Sequence, residues 1–357
     1  MICPVHPAEA ILRNTDWAGL EHAYGSAEDV PPVLLDLLSL DAEACGNALA
    51  NLDGGLLHQG SIYSATAPAA LFVAAVLDDP RVRFPCESAL PWDDRERPLL
   101  AALLEWLGQV ASSAAYDHGE DDEDVNACRT IRPDLHALVV PLLGDDDPDV
   151  RREALTTVSH LLAAPELVAH RPETARLLLE SAVDGAPEVR AEVAVRLGGW
   201  GVRTFLDDDH PGVRACAALT AAYDDDPAAL AEVVAALRDP AGVASLRPQP
   251  LDGEVRAALI AALLRRTTAF EDVAELAIGL VMTSNGFDSD DWGPFVVRAF
   301  PDGWPGTLSA AQERLTSMLL ANDRCWNPFV GGRRWFQQAG LPVERAELRA
   351  LYVRSGL

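Results

Sequence analysis

The sequence predicts an all-α chain assembled from recurring helical hairpins, on three observations. Apolar residues recur at i, i+3, i+4 and i+7 along most of the 357 residues, the spacing of a helix that buries one face. A short junction ending in Val-Arg returns at intervals close to the length of one hairpin. Ile, Thr and Tyr, which pleated strands favour, are scarce in every segment, and no stretch alternates with period two.

Taken in order, an N-terminal helical-repeat segment spans 1–116. Within it Val30 to Leu77 reads as a hairpin, with Asp41-Ala42-Glu43-Ala44-Cys45 at its junction. Leu100, Leu103, Leu104, Leu107, Val110 and Ala111 then mark a strongly amphipathic helix. An acidic loop follows over 117–130, opening with Asp117-His118-Gly119-Glu120-Asp121, a run without an apolar residue. The repeat array occupies 131–283. Its helices are marked by Leu135, Leu138, Val139, Leu142 and Leu143, by Leu177, Leu178, Ser181 and Ala182, and by Leu230, Val233, Val234 and Leu237.

The junctions of the array are Asp147-Pro148-Asp149-Val150-Arg151, Ala186-Pro187-Glu188-Val189-Arg190, His210-Pro211-Gly212-Val213-Arg214 and Asp252-Gly253-Glu254-Val255-Arg256. Each reads as a helix start. A capping residue meets free N–H groups, Pro suits the first helical position, an acid complements the dipole, and Val opens the buried stripe. The arginines are 39, 24 and 42 residues apart. The short interval leaves space only for a stunted helix over Val202–Leu206, with Gly198-Gly199-Trp200-Gly201 as a preceding helix stop. Beyond Ser284 the composition changes: ten of the 22 aromatics lie there. Residues 284–357 are therefore expected to form a divergent helical cap over the last hydrophobic face.

The Asp-Pro-x-Val-Arg junction, with Pro141 inside the helix before it, resembles HEAT repeats, best between Leu135 and Arg266. His58-Gln59-Gly60-Ser61-Ile62-Tyr63-Ser64-Ala65-Thr66 is similar to a stretch found in bacterial, often actinobacterial, HEAT-repeat proteins. All 28 basic residues are Arg, a bias expected of a GC-rich genome. The resemblance implies a right-handed α-solenoid of helical hairpins, in which the junction residues Arg151, Arg190, Arg214 and Arg256 form ladders with acids of neighbouring repeats. It implies a fold more than an activity.

The net charge is −27, from 55 acids against 28 bases. Such a surface repels phosphate backbones and anionic lipid, which argues against nucleic acid and membranes as partners. Cys3, Cys45, Cys86, Cys128, Cys216 and Cys325 are widely spaced, without a Cys-x-x-Cys pair; this spacing predicts free thiols in a reducing compartment. The first residues, Met1-Ile2-Cys3-Pro4-Val5-His6-Pro7, lack the pattern of a secretory signal. A soluble, cytoplasmic protein is expected.

Three places are candidates for partner binding. The acidic triplets Asp145, Asp146, Asp147 and Asp207, Asp208, Asp209 precede helices and suit a basic partner, although helix capping explains them equally well. Trp326, Arg333, Arg334 and Trp335, with Phe329 and Phe336 nearby, gather the residue types most enriched at interface hot spots. His58 and Tyr63 flank Gly60, whose tight loop precedes a helix. Neither acidic triplet has the alternating oxygen ligands of a calcium loop, and the eight histidines show no metal-ligand spacing. No nucleophile elbow, Walker loop or dinucleotide fingerprint occurs. No metal, cofactor or catalytic residue is assigned.

These observations favour a non-enzymatic scaffold or adaptor that holds a protein or peptide, basic by charge complementarity. An inhibitor or immunity-type protein would be one form of it. The alternative is an enzyme on the same architecture, such as a DNA glycosylase or a natural-product biosynthesis enzyme.

Overall fold

The computed structural model describes residues 7–91, 93, 95–115, 122–251, 254–327 and 331–354. Its described residues are overwhelmingly helical. They divide into two compact units, Met1–Leu178 and Leu179–Leu357, at a point inside one helix. Among them, no helix is long and apolar enough to cross a membrane.

The first unit contains α1 (Pro7–Asn14), α2 (Val30–Asp36), α3 (Ala42–Asn51), α4 (Thr66–Ala75), α5 (Leu99–Ser113), α6 (Glu123–Thr130), α7 (Arg132–Val139), α8 (Pro148–Leu161) and the start of α9 (Arg171–Ala182). Two minimal antiparallel ladders interrupt it. In one, β1 (Glu21–His22) pairs with β2 (Gly25–Ser26); in the other, β3 (Pro85–Cys86) pairs with β4 (Arg97–Pro98). Helix α5 is the centre of this unit. Twelve of its 15 residues are buried, as expected of a helix apolar on nearly every side. It packs along α8, where the Thr157 hydroxyl donates to the Leu104 carbonyl at 2.6 Å.

The second unit contains α10 (Pro187–Gly199), α11 (Pro211–Ala218), α12 (Pro227–Arg238), α13 (Val255–Arg266), α14 (Ala274–Thr283), α15 (Ser289–Ala299), α16 (Ala310–Ala321), α17 (Gly332–Gln338) and α18 (Arg345–Arg354). Consecutive helices from α10 to α13 pack neighbour against neighbour. One hydrophobic cluster runs from Ala191 to Leu348. The aromatic C-terminal segment therefore shares a core with the helices before it. Trp292, Phe295, Phe300 and Phe336 sit fully buried in that core.

The junctions act as helix starts. Asp147 accepts from the backbone N–H groups of Asp149 and Val150 at 2.8 and 3.2 Å, with Pro148 beginning α8. Asp226 does the same for α12, followed by Pro227. Arg151, Arg190 and Arg214 fold back over the turn before their helix, whereas Arg256 pairs with the acid Asp291. Arg151 donates to the Asp145 and Asp146 carbonyls, Arg190 to Gly185, and Arg214 to Asp208 and Asp209. Three of the four also reach an acid further along. Arg190 grips both oxygens of Asp208, Arg214 meets Glu232, and Arg256 meets Asp291.

Several expectations are corrected. No helix forms over Val202–Leu206. Gly201 at φ +81° turns the chain out of α10, and the Val202 N–H closes on the Leu197 carbonyl at 2.9 Å. Pro141 does not bend an α-helix. Because Pro cannot donate, α7 stops at Val139 and a 3-10 segment, Val140–Gly144, replaces it. Glu123–Thr130 of the expected acidic loop form a helix, α6, instead. Asp122 caps α6 through the Val125 N–H, acids occupy its first turn, and Val125 and Cys128 are buried. Asp117–Asp121, Asp252, Gly253 and Phe329 lie outside the described residues.

Candidate functional site

The first unit holds a cleft of about 720 Å³. One stripe of α5 supplies Ala102, Glu105, Trp106 and Gln109 to it. That spacing of three and four residues places all four on one helical face. Trp106, Leu49, Leu52 and Leu57 are buried and form its apolar base. Tyr24 stands at the mouth, 73% exposed.

The backbone beneath the cleft departs from regular helix. After α3 the chain enters a π-helical turn, Leu52–Leu56, then a 3-10 turn, His58–Gly60. A π turn leaves carbonyls without their usual i+4 donors. Here four of the five find another. The Trp106 indole N–H donates to Leu52 at 3.0 Å, and His58 Nδ1 lies 3.1 Å from the Gly54 oxygen. The Ala23 N–H donates to Gly55 at 3.0 Å, and the Thr66 hydroxyl donates to Leu56 at 2.6 Å. Gln59 and Gly60 both adopt positive φ, +52° and +79°. For Gln59 this is a sparsely populated region, held in place by the surrounding bonds. A carbonyl only accepts, so His58 donates from Nδ1 in the bond to Gly54.

Charge is concentrated on one wall. Arg95 forms paired hydrogen bonds with Asp93, at 2.7 and 3.1 Å, and reaches Glu105 at 3.2 Å. Arg97 bridges Asp93 at 3.3 Å and also pairs with Glu105. The Arg95 hydrogen bonds hold Asp93 below the usual carboxylate range. Two carboxylates and two guanidiniums thus neutralise each other. Asp53, on the π turn, is the remaining lining acid. No hydrogen bond or ion pair satisfies its carboxylate among the described residues. Burial, reinforced by the negative charges of Glu105 and Asp93 and only partly opposed by Arg97 and Arg95, pushes it up to about 6. Around neutral pH the cleft therefore carries one uncompensated, poorly solvated negative charge.

The residues singled out from the sequence are distributed as follows. His58 lines this cleft, and its ring meets Tyr24 edge-on with centroids 5.8 Å apart. Tyr63 does not line it. Its backbone closes a turn with Thr66 instead. Asp145 is tied to Arg83 by bonds of 3.0 and 2.7 Å, which hold it below its ordinary range against the pull of burial. Asp208 is drawn up by burial, but Arg190 and the His210 N–H outweigh that and hold it low. Asp146, Asp207 and Asp209 remain exposed.

In the C-terminal cluster each group has a partner within the chain. Trp326 donates to the Leu319 carbonyl at 2.8 Å and stacks on Phe336. Trp335 donates to Asp290 at 3.1 Å. Arg334 pairs with Asp290 at 2.6 Å and lies over the Trp335 ring, and Arg333 pairs with Glu344 at 2.7 Å. Both arginines are exposed, and their charge is already matched by acids.

Sequence reasoning passed over Asp53, Asp93, Arg95, Arg97, Glu105, Tyr24 and Trp106. With 55 acids in the chain, no acid pair stands out until burial distinguishes it. The available signals were Leu52-Asp53-Gly54-Gly55-Leu56, an acid set between apolar residues and glycines, and Glu105 beside Trp106 within an apolar helix. Compared with protein-family models, curated proteins and solved structures, the chain matches none, so the HEAT resemblance stands on its junction residues.

Proposed function

We propose that this protein is a non-enzymatic binding protein for a basic polypeptide, with the cleft of the first unit receiving a Lys or Arg side chain of the partner. In this reading the hairpins stack as a right-handed, HEAT-like α-solenoid in a cytoplasmic adaptor or inhibitor. The neighbour-on-neighbour packing of α10 to α13 and the repeated folding of junction arginines over their turns support that stacking. The observation that carries the reading is Asp53: a half-buried carboxylate with no hydrogen bond or ion pair among the described residues, in an open cleft of a chain at −27. A guanidinium or ammonium entering there supplies the missing charge. Tyr24 at the mouth and the apolar base suit its aliphatic stem.

The test is fluorescence anisotropy with a labelled hexa-arginine peptide at about 150 mM salt. Surface attraction is largely screened at that ionic strength, whereas a buried pair is not. Asp53→Asn is expected to weaken binding by about tenfold or more, equivalent to about 1.4 kcal/mol. Asp146→Asn, at an exposed acid, is expected to change it less than about twofold. Equal effects at both positions would mean that bulk charge, not the cleft, holds the peptide.

One observation favours a second reading. A carboxyl group poised near 6 in a cleft is suited to general acid–base catalysis. Peptide recovered chemically altered by the wild type and intact from Asp53→Asn would replace the binding role with an enzymatic one.

A further inference from the structure

Cys45 on α3 and Cys86 on β3 are 41 residues apart in sequence, yet their Sγ atoms lie 2.7 Å from each other. That is closer than unbonded sulfurs normally rest, and a short movement from the roughly 2.05 Å of a disulfide. Wide spacing predicted free thiols, and the five described cysteines are free, but spacing gave no sign of a close pair. The fold instead brings these two together, while Cys128, Cys216 and Cys325 remain separate and buried.

The approach is built into the backbone. A Cβ at Gly46 would come within 2.6 Å of the Glu87 carbonyl, so glycine is what lets the strand after Cys86 lie against α3. The Ala89 N–H donates to the Gly46 carbonyl at 3.0 Å, holding the segment there. Cys86 belongs to a ladder of only two residues, paired with Arg97 and flanked by exposed Pro85 and Glu87. So short a ladder opens readily. The hydrogen bond from the Cys45 thiol lowers the Cys86 pKa, and the same contact together with burial raises that of Cys45. Cys86 lies on the ladder that opens and so is reached first, which makes it the attacking sulfur and Cys45 the resolving one.

The position matters for the cleft. Helix α3 leads into the turn carrying Asp53, while the chain from Cys86 to Arg97 supplies Asp93, Arg95 and Arg97. We propose that Cys45 and Cys86 are a covalent modification site, oxidised to an intramolecular disulfide by a low-molecular-weight disulfide, and that the bond clamps the charged wall of the cleft onto α3. The Cys86 thiolate attacks one sulfur of the small disulfide, whose S–S bond breaks and releases one thiolate. Cys45, losing its proton to solvent, then attacks Cys86 Sγ and expels the second thiolate. Two protein thiols are oxidised, and one small disulfide is reduced to two thiols. The effect on ligand binding rests on the cleft reading above, whereas bond formation and clamping do not.

The full-length protein is incubated with oxidised glutathione or with dithiothreitol, denatured, alkylated and mapped by mass spectrometry. Cys45 and Cys86 are expected to be linked to each other, while Cys128, Cys216 and Cys325 alkylate fully. In the native protein, trypsin cleavage after Arg95, which is exposed, is expected to slow about fivefold or more on oxidation, because cleavage requires local opening. Cys86→Ser and Cys45→Ser should show no such slowing, with circular dichroism confirming that each is folded. Hexa-arginine affinity should rise about threefold or more, as the wall is pre-organised. Separate glutathione adducts, or two alkylated thiols, overturn the modification site. A disulfide that leaves cleavage after Arg95 unchanged overturns the clamp. Slowed cleavage in a protein that never binds hexa-arginine retains the clamp and discards the binding reading.

Discussion

Asp53 is the residue at which stability and the proposed binding are set against each other. Its folded pKa is raised from 3.8 to about 6, so the folded state holds a proton that the unfolded chain releases between those values. Stability is therefore greatest at low pH with respect to this group, declines as pH rises through 4 to 6, and is lowest above 6. Asp53→Asn removes the charge and keeps the shape. At about pH 8 it is expected to stabilise the protein by about 1–3 kcal/mol, with the difference from wild type vanishing near pH 4, as read from paired thermal melts. An Asn variant that is no more stable at pH 8 would show that the carboxylate is already satisfied. On the proposed binding role, the same substitution is expected to weaken capture of a cation, and wild-type capture should itself fade as pH falls through 6. A side chain that costs stability where it sits is typical of a functional position. Composition could not mark this residue, because its pKa comes from neighbours on α5 and on the chain before β4.

At the scale of the element, the junctions explain how the helices begin and what secures them. Their starts were legible because capping is local: Asp147, Pro148 and Val150 act within one turn. The acids that Arg190, Arg214 and Arg256 reach are not local. Arg190 and Asp208 are 18 residues apart and meet with side chains 21% and 9% exposed. Removing the cation strands a nearly buried carboxylate, so Arg190→Ala is expected to cost about 1–3 kcal/mol in denaturant melts. Arg314, whose partner Glu275 is equally solvated, serves as the comparison, and Arg314→Ala should leave the midpoint unchanged. Equal midpoints for the two variants would remove any special role for the junction arginine. The absent helix over Val202–Leu206 belongs to the same scale. A spacing argument demanded one, but two positive-φ residues, Gly201 and Phe205, direct the chain elsewhere.

For the whole molecule, charge sets the most general expectation. At −27, binding to random duplex DNA at physiological salt should be weaker than the roughly 10⁻⁴–10⁻⁶ M of ordinary non-specific binders. A gel shift at micromolar protein would reverse the exclusion of nucleic acid and favour an enzyme acting on it. The second unit has one continuous core of Ala, Leu and Val, enriched by Trp292, Phe295, Phe300 and Phe336. The C-terminal aromatics looked like a binding surface because Trp and Arg cluster there in sequence. In the folded chain their polar atoms are occupied by Leu319, Asp290 and Glu344.

The sequence by itself determined the helical class, the helix starts at the junctions and the acidic character. These depend on periodicity, capping and net charge, each readable within a few residues of chain or from a sum over all of it. Only the tertiary structure decided where the chemistry gathers. Asp53, Glu105 and Arg97 come from three separate segments, and Cys45 meets Cys86 across 41 residues. A carboxylate becomes unusual when neighbours take away its water, and a thiol when another sulfur is placed against it; both conditions are created by packing between segments, which no local pattern of residues encodes.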